Sequence, residues 1–408
     1  MMWSIFAENL PLVKKHLQSF TSMLKQADLL VVGAGILGTG HALQALRSGY
    51  SVILSEKDNA PQEATVRNFG QAVISGLSRG KWKQYGLDSL ALYQEIQAEF
   101  DLGIRNNGSY YIASNADELQ LIEELYAINV QDNYRCQLLN KAECLQRFAT
   151  LRPEYCLAAL YFPLELSIEP RTMIHRLLVY LQKKYPDTFQ YLPNTSICAC
   201  TPVNGGAMAE TTKGEKLKAS KIIICSGSEF RLLYPEIFRN SNLVVSKLQM
   251  MQTYPLPGVH LPGNILTGLS IRRYESFQQC PSWAKKDDAV YDPKLLDYGI
   301  HILFKQALDG SIIIGDSHEY APASAVEQLG FDVHTEINEL MLNEAQRILQ
   351  LPDWRMQKYW NGFYSQVKGA DMFHLQVDEN IQILTGIGGK GMTSGLGLAG
   401  HNITQTFA

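Results

Sequence analysis

Residues 27 to 57 read ADLLVVGAGILGTGHALQALRSGYSVILSEK, and this stretch decides the fold. LLVV is an apolar run of the kind buried in a parallel sheet, and GAGILG reads as a turn. GTGHALQALRSG has helical spacing and closes at Gly49, and SVILSEK reads as the next buried strand. Strand, helix and strand form a βαβ unit in which each glycine has its own duty. Gly33 permits the tight turn, Gly35 lets backbone approach a pyrophosphate at the helix N-terminus, and Gly38 allows close packing of helix on strand. Glu56 ends the second strand 18 residues after Gly38, where a carboxylate can accept hydrogen bonds from a ribose diol. Ala34 and Ile36 in the turn, with Ser55 and Lys57 beside Glu56, complete the expected nucleotide contacts. The carboxylate would repel the 2′-phosphate of NADP, which leaves NAD and FAD.

Composition bounds what can be attached to this unit. With 408 residues the chain is expected to form two or three domains at about 150 residues each. A hydrophobic fraction of 46% supports large cores, and a net charge of −4 with no dense basic stripe gives no reason to expect nucleic acid. The apolar runs fall short of the roughly 20 residues of a spanning helix. Seven scattered cysteines favour reduced thiols and a cytoplasmic location, without a metal site. Within SICAC, Cys198 and Cys200 are expected on the same face of a strand, as core thiols. Residues 1 to 26 lack the features of a secretory signal, and Val13, Leu17 and Phe20 recur at helical spacing, so they are expected to form an N-terminal helical extension.

An NAD enzyme normally continues with further βα units, whereas here ATVRNFGQAVISGL follows at 64 to 77. Its turn Thr65-Val66-Arg67-Asn68-Phe69-Gly70 mixes a cation, an amide and a glycine, which suits it to a diphosphate and a flavin edge. Further on, RNNGSYYIASN, LQMMQTYPLP, GNILTGLSIRRYESF and HILFKQALDGSIIIGDS alternate apolar and polar residues and read as antiparallel strands.

Four blocks carry a resemblance to the D-amino acid oxidase and glycine/sarcosine oxidase superfamily of FAD-dependent oxidoreductases. They are GAGILG with Glu56, VRNFG, KIIICSG at 221 to 227, and the C-terminal pair WNGFY (360 to 364) and TGIGGKGMT (385 to 393). RNFG, GDSHEY at 315 to 320 and GGKGMT are most similar to a subgroup associated with bacterial phosphonate breakdown. The resemblance implies an α/β plus α+β fold: a discontinuous Rossmann-like FAD-binding domain (27–100, 165–243 and 356–408) and an antiparallel-sheet substrate domain (101–164 and 244–355). It also implies non-covalent FAD, a small amine substrate, oxygen or another electron acceptor, and leaves a homo-oligomer open. Ser226 and Gly227 are placed by it near the diphosphate or ribose, Ile197 near the adenine, and Gly362 with the cofactor contacts.

The chemistry implied is oxidation of the C–N bond of a primary or secondary amine or amino acid, giving an imine that water hydrolyses. It needs a neutral amine, an α C–H directed at flavin N5 and stabilisation of the reduced ring, and it requires no general base. Glycine-oxidase-like members carry a WAGLRP block whose arginine grips the substrate carboxylate, but here Tyr364 stands at that arginine's place. Because a phenol cannot replace a guanidinium as an anion clamp, the anion must be held elsewhere. Arg272, Arg273 and His318 are expected on substrate-domain strands, where only one of the adjacent arginines can face a site; Arg273 is the choice. Tyr274, His318 and Tyr364 join it as candidates, and an aminophosphonate is the substrate class that the subgroup implies.

Three other readings remain. Gly76-Leu77-Ser78-Arg79-Gly80 matches the GxSxG nucleophile elbow of a serine hydrolase, between a strand-like QAVIS and a helix-like run. The others are an NAD-dependent dehydrogenase and a non-catalytic FAD-binding protein. Finally, in ILTGIGGKGMTSGLGLAG (383 to 400), IQILTG reads as a returning strand and MTSGLGLAG as a helix. The helix N-terminal amides, freed by Gly388, Gly389 and Gly391, are expected at the flavin pyrimidine end with Met392 and Thr393. Lys390 is expected beside the ring, where it can stabilise reduced flavin, assist oxygen or hold an anion.

Overall fold

A computed structural model describes residues 26–408. The expected helical extension lies outside the described residues except for Gln26, which opens the first strand. That strand, Gln26–Val32, runs parallel between Val52–Ser55 and Lys216–Ile224 in an eight-stranded sheet. Side chains alternate across it: Leu29 and Val31 face a core shared with the helix Ile36–Arg47, and Leu30 faces a second core on the other side. Ile381–Thr385 joins the same sheet parallel to Lys216–Ile224, as the tail's apolar run predicts.

The fingerprint glycines behave as spacing elements. Gly33 has a φ of +98°, in the region open to glycine, and a methyl on it would press into the Cys225 carbonyl. A methyl on Gly38 would fall onto the carbonyl oxygen of Gly33, so helix and turn touch backbone to backbone. The C-terminal helix Gly391–Thr406 uses glycine likewise against another helix, Lys81–Glu99. A Cβ on Gly397 would fall onto the Tyr85 carbonyl. Close helix packing therefore explains part of the glycine density that the sequence reading assigned to cofactor approach.

The second sheet has nine strands, and all but one of its pairings are antiparallel. Its long member Leu243–Thr253 pairs antiparallel with Met356–Val367 along almost its full length. The division of the chain drawn at residue 356 therefore groups with the cofactor domain a strand that hydrogen-bonds to the other sheet.

Several local expectations are corrected. In GNILTGLSIRRYESF only Asn264–Leu266 is a strand; Gly268–Ile271 is a helical turn that carries Arg272 to Tyr274. The backbone turns there because Thr267 donates its hydroxyl to the Ile302 carbonyl (2.7 Å) and Gly268 lies where any side chain would collide with Glu118 and Tyr291. His318 follows the strand Ile312–Gly315 in an irregular span. A register shift between Ile197 and Ala199 turns Cys198 outward while Cys200 stays buried, so the two thiols do not share a face. QAVIS is a strand only at Gln71–Ala72, antiparallel to Leu166–Ile168, and it passes into a 3₁₀ turn at Ile74–Gly76. Ser78 therefore lacks the parallel strand that a nucleophile elbow springs from, and its hydroxyl meets Glu275 at 3.5 Å.

Gly38→Ala is expected to lower the stability of the whole protein by about 2 kcal/mol or more, because backbone must move to admit the methyl. Thermal unfolding checks this, and an unchanged midpoint would contradict it.

Candidate active site

The first helix offers its N-terminus to a cavity. Its first-turn amides have no intrahelical acceptors. The Ile36 N–H is taken by Thr65 Oγ1 (2.9 Å), while Gly35 and Leu37 line open space. Cβ atoms are tolerated poorly on both sides of the turn, but at Gly35 the nearest neighbour of an added methyl is Thr65 Oγ1 alone, at 3.2 Å. Glu56, 7% exposed, accepts from the Ala34 N–H (3.0 Å) and the Asp58 N–H (3.1 Å). Those two bonds fix the carboxylate at the rim of the cavity, beside Lys57, Ile197, Ser226 and Gly227. Of the residues expected to touch the nucleotide, Gly33, Gly35, Ile36, Ser55 and Glu56 join them in this wall. Ala34 and Gly38 do not: the first serves Glu56 and the second packs against Gly33.

The cavity continues past Ile36, Thr65, Tyr364 and Gly388, which border both parts, into a chamber of about 530 Å³. Arg67, Asn68, Phe69 and Gly70 line it on one side. The turn holds itself: Asn68 donates to the Ala64 and Thr65 carbonyls and accepts from the Gly70 N–H (2.8 Å), and Arg67 Nε donates to the Gln62 carbonyl (2.6 Å). Gly70 has a φ of +83° and packs directly over Lys305 and Ile168. Gly362 passes so near the turn that an added methyl would sit 3.0 Å from the Arg67 carbonyl, which also accepts from Trp360 Nε1 (3.0 Å). Opposite lie Gly388, Gly389, Lys390, Gly391, Met392 and Thr393, so the tail glycines and the RNFG turn face one space.

All five candidate catalytic and substrate residues line this chamber: Lys390, Tyr364, His318, Arg273 and Tyr274. Arg272 and Arg273 do face different ways, but through rotation along a helical turn and not through strand alternation. Arg272 turns away to Glu118 (3.1 Å) and Asp288 (2.9 Å). Arg273 donates to the Tyr320 hydroxyl (3.0 Å) and, among the described residues, has no carboxylate within ion-pair distance. Burial pulls its pKa down, but the Tyr320 and Tyr364 phenols and the Asp316 carboxylate hold it above the ordinary arginine value. Lys390 is matched by Glu275 (2.9 Å) and lies over the Trp82 ring (4.6 Å).

Burial lowers the pKa of His318 to about 3, with Arg273 and His301 repelling its charged form, so the ring is neutral. Its Nδ1 lies 3.0 Å from the Gly299 carbonyl, which can only accept, so Nδ1 carries the proton. Nε2 is then the acceptor, and the Tyr364 hydroxyl donates to it at 3.1 Å. Burial also raises the pKa of Tyr364, which keeps the phenol a donor, and that of Tyr274.

Two residues escaped the sequence reading. Asp316 and His301 stand in the same wall, with His301 Nε2 2.7 Å from Asp316 Oδ1. Asp316 belongs to the GDSHEY stretch already singled out for its histidine, so its position carried a signal, whereas His301 lies in an otherwise ordinary apolar run. His301, Asp316 and His318 together offer ligand atoms within 4.8 Å of one another.

Comparison with known proteins fits this architecture. The model of the family described as FAD dependent oxidoreductase (DAO) matches residues 28–405. An opine oxidase polypeptide of Rhizobium meliloti is 23% identical over 365 residues, covering 85% of this chain and 83% of that protein. Among solved structures, glycine oxidase from Geobacillus kaustophilus superposes with a TM-score of 0.72 at 15% identity, covering 93% of this chain and 95% of that one. L-α-glycerophosphate oxidase from Mycoplasma pneumoniae, with FAD bound, superposes with a TM-score of 0.73 at 16% identity and the same coverage, 93% and 95%. The family match settles the choice between NAD and FAD. The residues present suit FAD: an open glycine turn at a helix N-terminus, a buried carboxylate at the nucleotide rim and a chamber beyond it. No described helix is long and apolar enough to cross a membrane.

Tyr364→Phe is expected to strand the buried His318 Nε2 without a donor and to cost about 1–3 kcal/mol. Urea denaturation of the flavin-loaded protein measures it; an unchanged midpoint would show that the hydroxyl is not needed there.

Proposed function

The chain belongs to the FAD-dependent oxidoreductase family, and on that premise we propose that it oxidises the C–N bond of a small amine or amino acid that carries an anionic group. The observation that carries this reading is Arg273, a guanidinium in the wall of the chamber without a carboxylate of its own. Such a cation is a ready partner for a carboxylate or phosphonate, and the phenols of Tyr320 and Tyr364 stand beside it. Position 364 is a tyrosine whose hydroxyl is already committed to His318, so the grip on the anion moves to Arg273. Within this reading, an aminophosphonate is the substrate class we favour, as the RNFG, GDSHEY and GGKGMT stretches imply. FAD is held without a covalent bond by the glycine turn, Glu56, the RNFG turn and the Gly388–Thr393 segment.

Bound FAD supplies the acceptor for the hydride. The side chains bind, orient and exclude water. Arg273 fixes the anionic end, Tyr274 closes one wall, and the neutral His318 with Tyr364 keeps a polar but uncharged surface. Lys390, neutralised by Glu275, is proposed to balance the negative charge of the reduced ring. The proposed substrate domain, 101–164 and 244–355, then supplies Arg273, Tyr274 and His318, while the rest of the chain supplies the cofactor cradle.

An anaerobic panel tests the reading. A carboxylate- or phosphonate-bearing amine is expected to bleach the flavin absorbance, and a neutral alkylamine of the same length is not. Arg273→Met is expected to raise KM roughly tenfold to a hundredfold with a smaller effect on kcat, as for lost uniform binding. Bleaching by neutral amines as readily as by anionic ones would sink the anion clamp, and activity on plain D-amino acids with none on aminophosphonates would sink the favoured substrate class.

A further inference from the structure

We propose that the Asp316 carboxylate receives the ammonium group of the substrate and, with His301, takes its proton, so that the amine is neutral when oxidised while Arg273 holds the anionic end. This rests on the amine-oxidation reading and adds to it a binding group and a proton acceptor.

Asp316 follows the strand Ile312–Gly315 and is 6% exposed in the chamber wall. It is locked opposite His301 by a reciprocal backbone pair: the Asp316 N–H donates to the His301 carbonyl (2.7 Å) and the His301 N–H to the Asp316 carbonyl (3.0 Å). The carboxylate itself is poorly served. His301 Nε2 approaches Oδ1 at 2.7 Å, but the contact is not aligned as a hydrogen bond, and Oδ1 has no hydrogen-bond partner among the described residues. A buried carboxylate oxygen left without a donor costs free energy, which a donor arriving with the substrate recovers. Burial pushes its pKa up, but His301, His318 and Arg273 outweigh this and hold the carboxyl below its ordinary range, so it is ionised and accepts only.

Charge decides what the occupant is. Arg273 and Asp316 line one chamber as a fixed positive and a fixed negative group, which matches a substrate with one anion and one ammonium. The histidine–aspartate–histidine grouping also resembles a metal triad, yet His318 is already used at both nitrogens, by Gly299 and Tyr364. A dication would also be repelled by Arg273 with no second carboxylate to compensate, since Glu275 is engaged by Lys390. An ammonium carries one charge and brings its own anion for Arg273.

The proton step balances simply. The N–H bond breaks with its electron pair remaining on nitrogen, and the proton passes to the Asp316–His301 pair, across whose 2.7 Å contact it is shared. The neutral amine then undergoes the family's oxidation, and the pair returns the proton to water after product leaves. The groups facing Asp316 that set this exchange are His301, His318, Arg273, Tyr274 and Tyr364.

The test uses the FAD-loaded protein and two probe pairs: 2-aminoethylphosphonate with propylphosphonate, and glycine with propionate. The second member of each pair replaces the amine by a methyl group. Binding is read from perturbation of the flavin spectrum. Wild-type protein is expected to prefer the amine member of at least one pair by tenfold or more. Asp316→Asn is expected to abolish that preference while leaving the amine-free member within about twofold. His301→Gln, which keeps the carboxylate, is expected to retain the preference and to move the acidic limb of anaerobic flavin reduction upward, toward the pKa of the free amine. An unchanged preference in Asp316→Asn would overturn the proposal, as would an equal loss for both members of a pair or a preference abolished by EDTA and restored by Zn²⁺. Bleaching reads the amine-oxidation premise separately. A preference lost in Asp316→Asn without bleaching by any amine supports the ammonium site and contradicts oxidation; bleaching with the preference intact does the reverse.

Discussion

The contact on which the structure depends is the one between the first helix and the turn below it, where Gly38 meets Gly33 with no room for a side chain. Backbone touching backbone brings the helix N-terminus down to the end of the central strand. From there Glu56 reaches back to the Ala34 amide, and Thr65 reaches across to the Ile36 amide. The second bond ties the RNFG turn to the nucleotide turn. Nucleotide rim and deeper chamber thereby become one continuous space.

The chamber is closed from the other side by a strand pair of unusual reach. Leu243–Thr253 and Met356–Val367 run antiparallel across the second sheet, and their residues Met250, Gly362 and Tyr364 look onto the turn and the tail glycines. Electrostatics then assigns the work. Burial makes His318 neutral, Tyr364 a donor and Asp316 an acceptor in need of a donor, while Arg273 is left as the cation without a carboxylate partner. A site of this kind binds opposite charges at fixed separation and offers little else to a substrate.

Much of this was legible in the sequence because its signals are local. The glycine fingerprint, the carboxylate at the strand end and the returning strands Lys216–Ile224 and Ile381–Thr385 all follow from short-range pattern. What was not legible depended on long-range packing. Alternation suggested strands through Arg272 to Tyr274, but Gly268 wedged against Glu118 and Tyr291 bends that segment into a helical turn. A bulge after Ile197 separates two thiols that spacing had put on one face. His301 lies 15 residues from Asp316 in the chain, and only the pairing of Leu303–Gln306 with Ile312–Gly315 brings them together. The glycines of the tail carried two messages at once: those at 388 to 391 line the chamber, and Gly397 admits a neighbouring helix.

The central claim is that one cavity holds FAD with its reactive end in the chamber of Arg273, Asp316, His318 and Tyr364. A crystal structure of the flavin-loaded protein with an amine-free acid such as propylphosphonate tests it most directly. The account predicts the isoalloxazine between the RNFG turn and the Gly388–Lys390 segment, with the anion on Arg273 and nothing anionic at Asp316. An isoalloxazine lodged outside that chamber, or an anion bound elsewhere with Arg273 unoccupied, would contradict it.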